Sequence, residues 1–183
     1  MEVIEEPLPG LLVIKPDVYE DERGFFLETW QSERYKEVGI EEDFVQDNWS
    51  RSTESVLRGL HFQNEHPQGK LVSVRGGRVF DVAVDIRPES ETFGEWYGNE
   101  LSVQNHLQMY IPPGFAHGFC VLSEIADFNY KCTNYYYPKD EGGIVWNDPS
   151  LEIDWPLKNP IISRKDKKLS SFENFKKIIA EAE

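Results

Sequence analysis

The sequence lacks the long apolar segments that mark membrane proteins and secretion signals. No apolar run reaches the roughly 20 residues that a helix needs to cross a bilayer. The first ten residues, MEVIEEPLPG, are acidic and contain no apolar core of the kind found in signal peptides. We therefore expect a cytoplasmic protein that does not act in a membrane.

Sulfur and imidazole are also scarce, which limits the chemistry available. The chain has two cysteines, Cys120 and Cys132, and four histidines, and their spacing matches no zinc motif. Both cysteines lie in apolar stretches, so we expect buried free thiols, although the sequence alone leaves a disulfide open. The chain also has no G-x-S-x-G nucleophile motif, no P-loop and no dinucleotide-binding glycine pattern. These absences argue against the enzyme classes that depend on such motifs, and a metal centre is not expected.

Positive charge is in deficit. The chain has 19 lysines and arginines against 33 acidic residues, which gives a formal net charge of −14. Such a charge disfavours non-specific binding to nucleic acids or to anionic membranes. If the ligand is itself an anion, particular arginine and lysine side chains must attract it locally.

What the sequence does contain is a succession of short strand patterns. A chain of 183 residues fits one domain with a sizeable core. The adjacent glycines Gly76 and Gly77, with an apolar run on each side, predict a β-hairpin, because such a pair favours a tight turn. In order along the chain, the segments with strand character are 11–16, 24–30, 43–50, 56–63, 70–74, 78–86, 95–102, 107–113, 115–123 and 126–137.

Helical patterns are few. One short helix is predicted over 32–39, ending at Gly39. A second is predicted over 170–183, where Ser170 and Glu173 have the spacing of a capping box and apolar residues recur at helical intervals. Together these patterns predict an all-β sandwich or barrel with short peripheral helices and a C-terminal helix docked outside it.

The segment VLRGLHFQ, residues 56–63, places two basic side chains in an otherwise apolar strand. Strict alternation would put Arg58 and His61 on opposite faces of the strand. A bulge at Gly59 would bring both to the same face. A histidine in a strand is more often structural than catalytic, so this segment alone does not establish an active site.

Two further segments carry candidate functional residues. IPPGFAHGF (111–119) presents His117 after a rigid turn, and NYKCTNYYYP (129–138) places Tyr130 and Tyr136 on one strand face. A phenol can act as a general acid, and an aromatic ring can stack on a base, but a surface turn and a tightly packed tyrosine strand remain open. Other polar stretches, each compatible with a solvated loop, contain Arg23, Glu28, Gln46, Asn48, Glu141 and Asp166.

Nine segments in order resemble the dTDP-4-dehydrorhamnose 3,5-epimerase family: ERGFFLETW, FVQDNWS, VLRGLHFQ, QGKLVSVRGGRVFDVAVDIR, IPPGFAHGF, NYKCTNYYYP, GIVWNDP, IDWP and SRKD. The resemblance implies one cupin-type jelly-roll domain over residues 1–183, with a core at about 10–168 and a helical tail at 169–183. It also implies a homodimer with strand exchange and no metal or organic cofactor. The implied substrate is dTDP-4-dehydro-6-deoxy-D-glucose, and the implied product is dTDP-4-dehydro-L-rhamnose.

The same resemblance assigns catalytic roles. It implies that His61 is the base, that Asp166 orients it, that Tyr130 is the acid on the opposite face and that Lys70 lies near the developing oxyanion. The residues implied to bind substrate are Arg23, Glu28, Gln46, Asp47, Asn48, Arg58, Lys70, His117, Tyr136, Glu141 and Lys165. Within that set, Arg58 would pair with the diphosphate and Tyr136 would stack on thymine, whereas Arg23 and Glu28 would come from the partner subunit.

Three alternatives stay open at this point. Relatives of the family epimerise only C3 or only C5 of related dTDP-4-keto sugars. A non-catalytic sugar-binding cupin would be expected to lack His61 or Tyr130, and both are present. A metal-dependent cupin would need a His-x-His motif, but here His61 is followed by Phe62 and Gln63.

Overall fold

The computed structural model describes residues 1–182, which form fourteen strands and two α-helices. The helices are α1 (Ser32–Glu37) and α2 (Phe172–Ala182), and a single 3-10 turn spans Asp166–Lys168. The strands are β1 (Glu2–Leu8), β2 (Leu11–Lys15), β3 (Val18–Asp21), β4 (Gly24–Leu27), β5 (Gln46–Thr53), β6 (Val56–Gln63), β7 (Lys70–Gly76), β8 (Arg78–Asp85), β9 (Trp96–Ser102), β10 (Gln108–Ile111), β11 (Phe115–Val121), β12 (Ile125–Cys132), β13 (Glu141–Gly143) and β14 (Ile161–Ile162).

Most strands belong to two opposed sheets. The first sheet has the order β1-β2-β10-β7-β12-β5, and the second has the order β13-β6-β11-β8-β9, with β14 also beside β6. Strands β3 and β4 form a separate two-stranded hairpin. Chain neighbours such as β7 and β8 lie in different sheets, as in a jelly roll. The predicted all-β, cupin-type fold with few helices is confirmed.

Apolar side chains fill both faces of the second sheet. Alternation along β8 turns Val79 and Ala83 towards the first sheet, where they join a core cluster that includes Met109 and Phe128. The other face of the second sheet is covered by the C-terminal part of the chain. That outer cluster contains Leu57, Leu60, Phe62, Val82, Val84, Ile86, Ala116, Cys120, Ile144, Leu151, Trp155, Phe172 and Phe175. Strands β6 and β11 therefore have packed side chains on both faces.

The predicted hairpin at Gly76 and Gly77 is wrong. Strand β7 pairs with β10 and β12, whereas β8 pairs with β11 and β9, so the two strands do not pair with each other. The glycines instead carry the chain from one sheet to the other. Gly77 has φ of +75°, and a Cβ on it would lie 2.0 Å from the carbonyl oxygen of Ile125. The expected positive φ is thus present, but it serves a corner between sheets.

Both predicted helices are present, but the cap of α2 differs by one residue. Ser171 rather than Ser170 accepts the capping hydrogen bond, from the backbone N–H of Asn174 at 3.2 Å. Phe172 and Phe175 then pack onto the outer cluster, so the tail docks outside the barrel as predicted. Residue 183 of the predicted tail lies outside the described residues.

Strands β1, β3, β13 and β14 were not predicted from the sequence. The first two are acidic and exposed, so they lack the apolar alternation that marks a strand. Strands β13 and β14 have only three and two residues. Within residues 1–182, no helix combines the length and the apolar character that crossing a membrane requires.

Candidate active site

A cavity of about 490 Å³ is lined by residues of both sheets. This volume lies within the range of pockets that hold small ligands. Nine of the residues implied to act in catalysis or binding line it: Arg58, His61, Lys70, His117, Tyr130, Tyr136, Glu141, Lys165 and Asp166. Side chains from five strands, from the segment between β12 and β13 and from the loop and 3-10 turn after β14 therefore meet at one place.

Strand β6 contributes two of these residues because its register is interrupted at Gly59. His61 is paired with His117 of β11, but Arg58 is paired with Phe119, so the strands shift by one residue between the two pairs. Gly59 has φ of +120°, and a Cβ there would lie 2.5 Å from the Cα of Gly118. The predicted irregularity at this glycine is present, and both basic side chains line the cavity.

The imidazole of His61 is oriented by a buried carboxylate. Nε2 of His61 lies 2.9 Å from Oδ1 of Asp166, whose side chain is 4% exposed. The backbone N–H groups of Gly59 and Asp166 complete the arrangement: the first donates to Oδ2 of Asp166 at 3.4 Å, and the second donates to Oγ of Ser163 at 2.9 Å. Burial would raise the pKa of Asp166, but the hydrogen bond and charge of His61, together with the hydrogen bonds from Gly59 and Ser163, lower that pKa. An ionised Asp166 holds one ring nitrogen of His61 and leaves the other available as a base.

Tyr130 projects from the opposite sheet. It lies on β12 and packs against Phe128, with ring centroids 6.0 Å apart. Burial raises the pKa of the Tyr130 phenol, so the group remains protonated at neutral pH. A protonated phenol across the cavity from His61 can donate a proton to the other face of a bound ring.

Lys70 places a buried amine in the same cavity. It begins β7, it is 8% exposed, and it lines the cavity. Burial lowers the pKa of its ammonium, whereas nearby Cys132, Asp81 and Glu141 act in the opposite direction. A cation in a water-poor site interacts with a developing oxyanion far more strongly than it would in bulk water.

His117 is held by an acid that the sequence analysis did not identify. Nε2 of His117 lies 3.1 and 3.0 Å from the two carboxylate oxygens of Asp81, and both side chains are almost fully buried. Burial raises the pKa of Asp81 and lowers the pKa of His117, so burial favours the uncharged form of each group. Asp81 lies in an apolar run, where nothing in the local pattern indicates a partner 36 residues further along the chain.

Polar contacts link three side chains at the mouth of the cavity. Tyr136 donates its hydroxyl to Glu141, and Lys165 forms an ion pair with the same carboxylate oxygen. Burial would raise the pKa of Glu141, but the bonds from Lys165 and Tyr136 lower it. Beside them, Nε of Arg58 donates to Oγ of Ser52 at 3.1 Å, which leaves the rest of its exposed guanidinium available to an anion.

Three implied binding residues lie on β5, beside the cavity but not in its wall. Gln46 and Asn48 are register partners of Cys132 and Tyr130, so they share the inner face of the first sheet. Asp47 points to the outer face, where Lys131 donates to it at 2.7 Å. The structure therefore does not bring Asp47 to the cavity of its own chain, because alternation along β5 turns it away.

Arg23 and Glu28 lie on the β3–β4 hairpin and the segment after it, away from the cavity lining. The Arg23 side chain is 86% exposed and bonds only to the neighbouring Asp21, and Glu28 accepts from Arg34 at 2.9 Å. These positions are compatible with the implied contribution to a partner's site, and they make no contribution to their own.

Metal ligands are not grouped in the part of the chain that the structure describes. No set of three or more His, Cys, Asp or Glu side chains within residues 1–182 is placed to hold an ion. Cys120 and Cys132 are both free and buried, as the sequence led us to expect. The polar groups of the cavity are instead arranged as a base with its carboxylate, a phenol and several cations, which suits proton transfer on an anionic ligand.

Comparison with known proteins agrees with the interpretation of the cavity as a site for proton transfer on an anionic ligand. A family model described as dTDP-4-dehydrorhamnose 3,5-epimerase matches residues 5–174. The dTDP-4-dehydrorhamnose 3,5-epimerase of Salmonella typhimurium is 54% identical over 169 residues, which cover 91% of this chain and 92% of the relative.

Solved structures agree. The dTDP-6-deoxy-D-glucose-3,5-epimerase of Legionella pneumophila, in complex with dTDP-4-keto-L-rhamnose, is 54% identical with a TM-score of 0.91, covering 94% of this chain and 93% of that one. A more distant structure, the 3'-monoepimerase of Streptomyces bikiniensis in complex with dTDP-quinovose, has a TM-score of 0.89 at 26% identity and covers 94% and 89% of the two chains. The chain therefore belongs to the dTDP-4-dehydrorhamnose 3,5-epimerase family of isomerases.

Proposed function

We propose that this enzyme converts dTDP-4-dehydro-6-deoxy-D-glucose into dTDP-4-dehydro-L-rhamnose, a step of dTDP-L-rhamnose biosynthesis, by inverting C3 and C5. The observation that carries the proposal is the placement of His61 and Tyr130 on opposite sheets across one cavity. Inversion at a carbon requires proton removal from one face and proton delivery to the other. The names of the most similar relatives support the choice of substrate.

The chemistry follows from the C4 ketone of the substrate, which acidifies the C–H bonds at C3 and C5. His61 takes a proton from the carbon, and the electron pair of the broken bond moves to the ketone oxygen as an enolate. Lys70 stabilises that oxyanion. Tyr130 then donates its proton to the opposite face of the same carbon, and the ketone reforms. Proton exchange with water returns His61 and Tyr130 to their starting states before the second carbon reacts.

The mouth of the cavity supplies the groups that a thymidine diphosphate needs. Arg58 can form a bidentate pair with phosphate oxygens, and Lys165 adds a second cation beside it. Tyr136 offers a half-exposed ring for stacking on thymine, and His117 contacts the sugar end of the cavity. Specific cations thus offset the overall charge of −14 at the place where the anion binds.

We also infer that the enzyme is a homodimer in which the β3–β4 hairpin crosses to the partner. That hairpin exposes three aromatic residues to solvent: Tyr19 is 64% exposed, Phe25 is 52% exposed and Phe26 is 70% exposed. Large aromatic side chains clustered on one short element are typical of a covered surface. The crossing would deliver Arg23 and Glu28 to the partner's cavity. Free thiols such as Cys120 persist in a reducing compartment, which supports activity in the cytoplasm.

The deciding experiment is proton NMR of dTDP-4-dehydro-6-deoxy-D-glucose in deuterium oxide, with protein that has been treated with EDTA. We expect deuterium at both C3 and C5 and formation of the L-rhamno product. Incorporation at one carbon alone would instead make the enzyme a C3-only or C5-only epimerase of a related pathway, as in the monoepimerase with the same fold. Absence of exchange at either carbon would overturn the proposal.

A further inference from the structure

We propose that Gln63 is a positioning residue for nucleotide binding, because its side chain fixes the main chain on both sides of Tyr136. The inference rests on the proposed function, since it concerns the site of the thymidine diphosphate. Gln63 is the last residue of β6, and it is 7% exposed in the cavity wall.

The amide of Gln63 directs its hydrogen bonds to main-chain atoms. Nε2 donates to the carbonyl of Tyr135 at 3.1 Å and to the carbonyl of His66 at 2.7 Å. Oε1 accepts from the backbone N–H of Tyr137 at 2.7 Å. One side chain therefore uses both its donor hydrogens and one acceptor lone pair on the backbone, and two of these bonds flank Tyr136.

A second glutamine fixes Tyr136 itself. The backbone N–H of Tyr136 donates to Oε1 of Gln46 at 2.9 Å. Three successive residues are thus held by side chains from β6 and β5, which belong to different sheets. Tyr136 remains 47% exposed, so its backbone is fixed while much of the residue stays accessible to a ligand.

The neighbouring segment is anchored independently by Asp140. Its carboxylate accepts from the backbone N–H groups of Asn64, Glu65 and His66 at 3.2, 2.9 and 2.8 Å. The His66 ring also stacks on Tyr137, with centroids 4.1 Å apart. Because these contacts do not involve Gln63, its loss removes the two main-chain bonds that flank Tyr136 without detaching the loop.

The expected consequence is a loss of affinity for the nucleotide. A segment that must become ordered on binding costs binding free energy, whereas a segment held in its bound conformation does not. Gln63 does not provide the base, the acid or the cation of the reaction. Its replacement should therefore raise KM and weaken dTDP binding, and it should change kcat at saturating substrate much less.

The experiment compares dTDP binding by isothermal titration calorimetry in the wild-type enzyme, in Gln63→Leu and in Ser123→Ala. Ser123 is the matched control, because its hydroxyl also bridges main-chain groups of two segments, Arg78 and Ile125, but it does not line the cavity. We expect Gln63→Leu to weaken dTDP binding about tenfold and to raise KM by a similar factor, whereas Ser123→Ala leaves both unchanged. Wild-type-like affinity in Gln63→Leu would overturn the inference.

A double-mutant cycle with Tyr136→Ala tests the route of the effect. If Gln63 acts through Tyr136, Gln63→Leu should weaken dTDP binding little further in the Tyr136→Ala background. Fully additive losses would refute the assigned role. If Gln63→Leu does not fold, Gln63→Glu replaces it, since that side chain keeps the acceptor for Tyr137 and loses both donors. Failure of the wild-type enzyme to bind dTDP would count against the proposed function instead.

Discussion

At the residue scale, the local surroundings of Asp166 and Tyr130 give these two groups different protonation states. Asp166 is buried but bound to His61, which keeps the carboxylate ionised and the imidazole oriented. Tyr130 is buried without a hydrogen-bonded anion, so its phenol keeps its proton. The same barrel therefore holds an imidazole paired with a carboxylate on one wall and a protonated phenol on the other, which are the groups that the proposed base and acid require.

The two catalytic groups should be separable by experiment. We expect Tyr130→Phe to retain exchange of the substrate C–H protons with solvent while it loses most of the epimerised product, because proton removal by His61 remains possible. His61→Ala should abolish both exchange and product while circular dichroism shows an intact fold. Proton NMR in deuterium oxide measures the two quantities together. Equal loss of both in Tyr130→Phe would show that Tyr130 positions the substrate and does not donate the proton.

At the element scale, Gly59 determines what β6 can do. Its positive φ and its approach to Gly118 allow the register shift that turns Arg58 and His61 to the same cavity. The shift costs regular pairing with β11, and burial of β6 between two apolar clusters holds the strand in place. A glycine in a strand interior is here the origin of the site.

Replacing this glycine should damage stability and activity together. Gly59→Ala combines strain at φ +120° with a clash, since its Cβ would lie 2.7 Å from the carbonyl oxygen of His117. Gly24→Ala is the matched control, because Gly24 has the same φ but nothing lies within 4 Å of its Cβ. Urea unfolding should show a loss of about 1–2 kcal/mol for Gly24→Ala and a clearly larger loss for Gly59→Ala. Equal losses would mean that only backbone strain matters.

Acid stability should depend on the turn after β8. Burial would raise the pKa of Asp85, but hydrogen bonds from Arg87, Ser90 and Thr92 lower it from 3.8 to about 2. Because the pKa is lower in the folded state, this carboxylate stabilises the fold above pH 3.8 and loses that contribution as the pH falls towards 2. The contribution is on the order of 2 kcal/mol.

The corresponding measurement is the free energy of unfolding of Asp85→Asn and wild type between pH 5 and pH 2. The variant should be less stable at pH 5, and the gap should narrow as the pH falls. Glu89→Gln, at an exposed position two residues beyond Arg87, serves as the control. If the difference in unfolding free energy stays constant from pH 5 to pH 2, Asp85 does not contribute to the loss of stability in acid.

Elements with strong local patterns were predictable, whereas their partners were not. The strand VLRGLHFQ was predicted with its observed bounds because its apolar residues and flanking turn residues mark it. The pairing of β7 with β8 was predicted wrongly because two adjacent glycines permit both a hairpin and a corner between sheets. In the structure, β10 and β12 occupy both edges of β7, so β8 has no free edge to pair with. The sequence also gave no indication of the roles of Asp81 and Gln63, because the residues to which they are hydrogen-bonded are mostly distant in sequence.

At the scale of the whole molecule, the charge distribution and the proposed dimer account for residues that the single chain leaves unused. The net charge is −14, yet Arg58, Lys70 and Lys165 converge on one cavity, so an anion is attracted at one place and repelled elsewhere. Arg23 and Glu28 are remote from that cavity in their own chain. Both features fit a dimer in which each site is completed by the other chain.

Subunit mixing tests this arrangement. Arg23→Ala and His61→Ala should each be strongly impaired at substrate concentrations below KM. After exchange of subunits in an equal mixture, about half of the dimers are mixed and each has one intact site. We expect recovery of about a quarter of wild-type activity. Mixing each variant with itself is the control, and no recovery in the mixed sample would show that each chain builds its site alone.

The position of the acid and the base on separate sheets has a consequence for how such enzymes can diverge. The gap between the two groups depends on the spacing of the sheets, and that spacing depends on packed core side chains such as Met109 and Val79, which do not line the cavity. The spacing between the two sheets is thus a property of the fold that bears on catalysis. We expect that a relative with a different interior volume would hold its acid at a different distance across the sugar ring, even with the same residues at His61 and Tyr130.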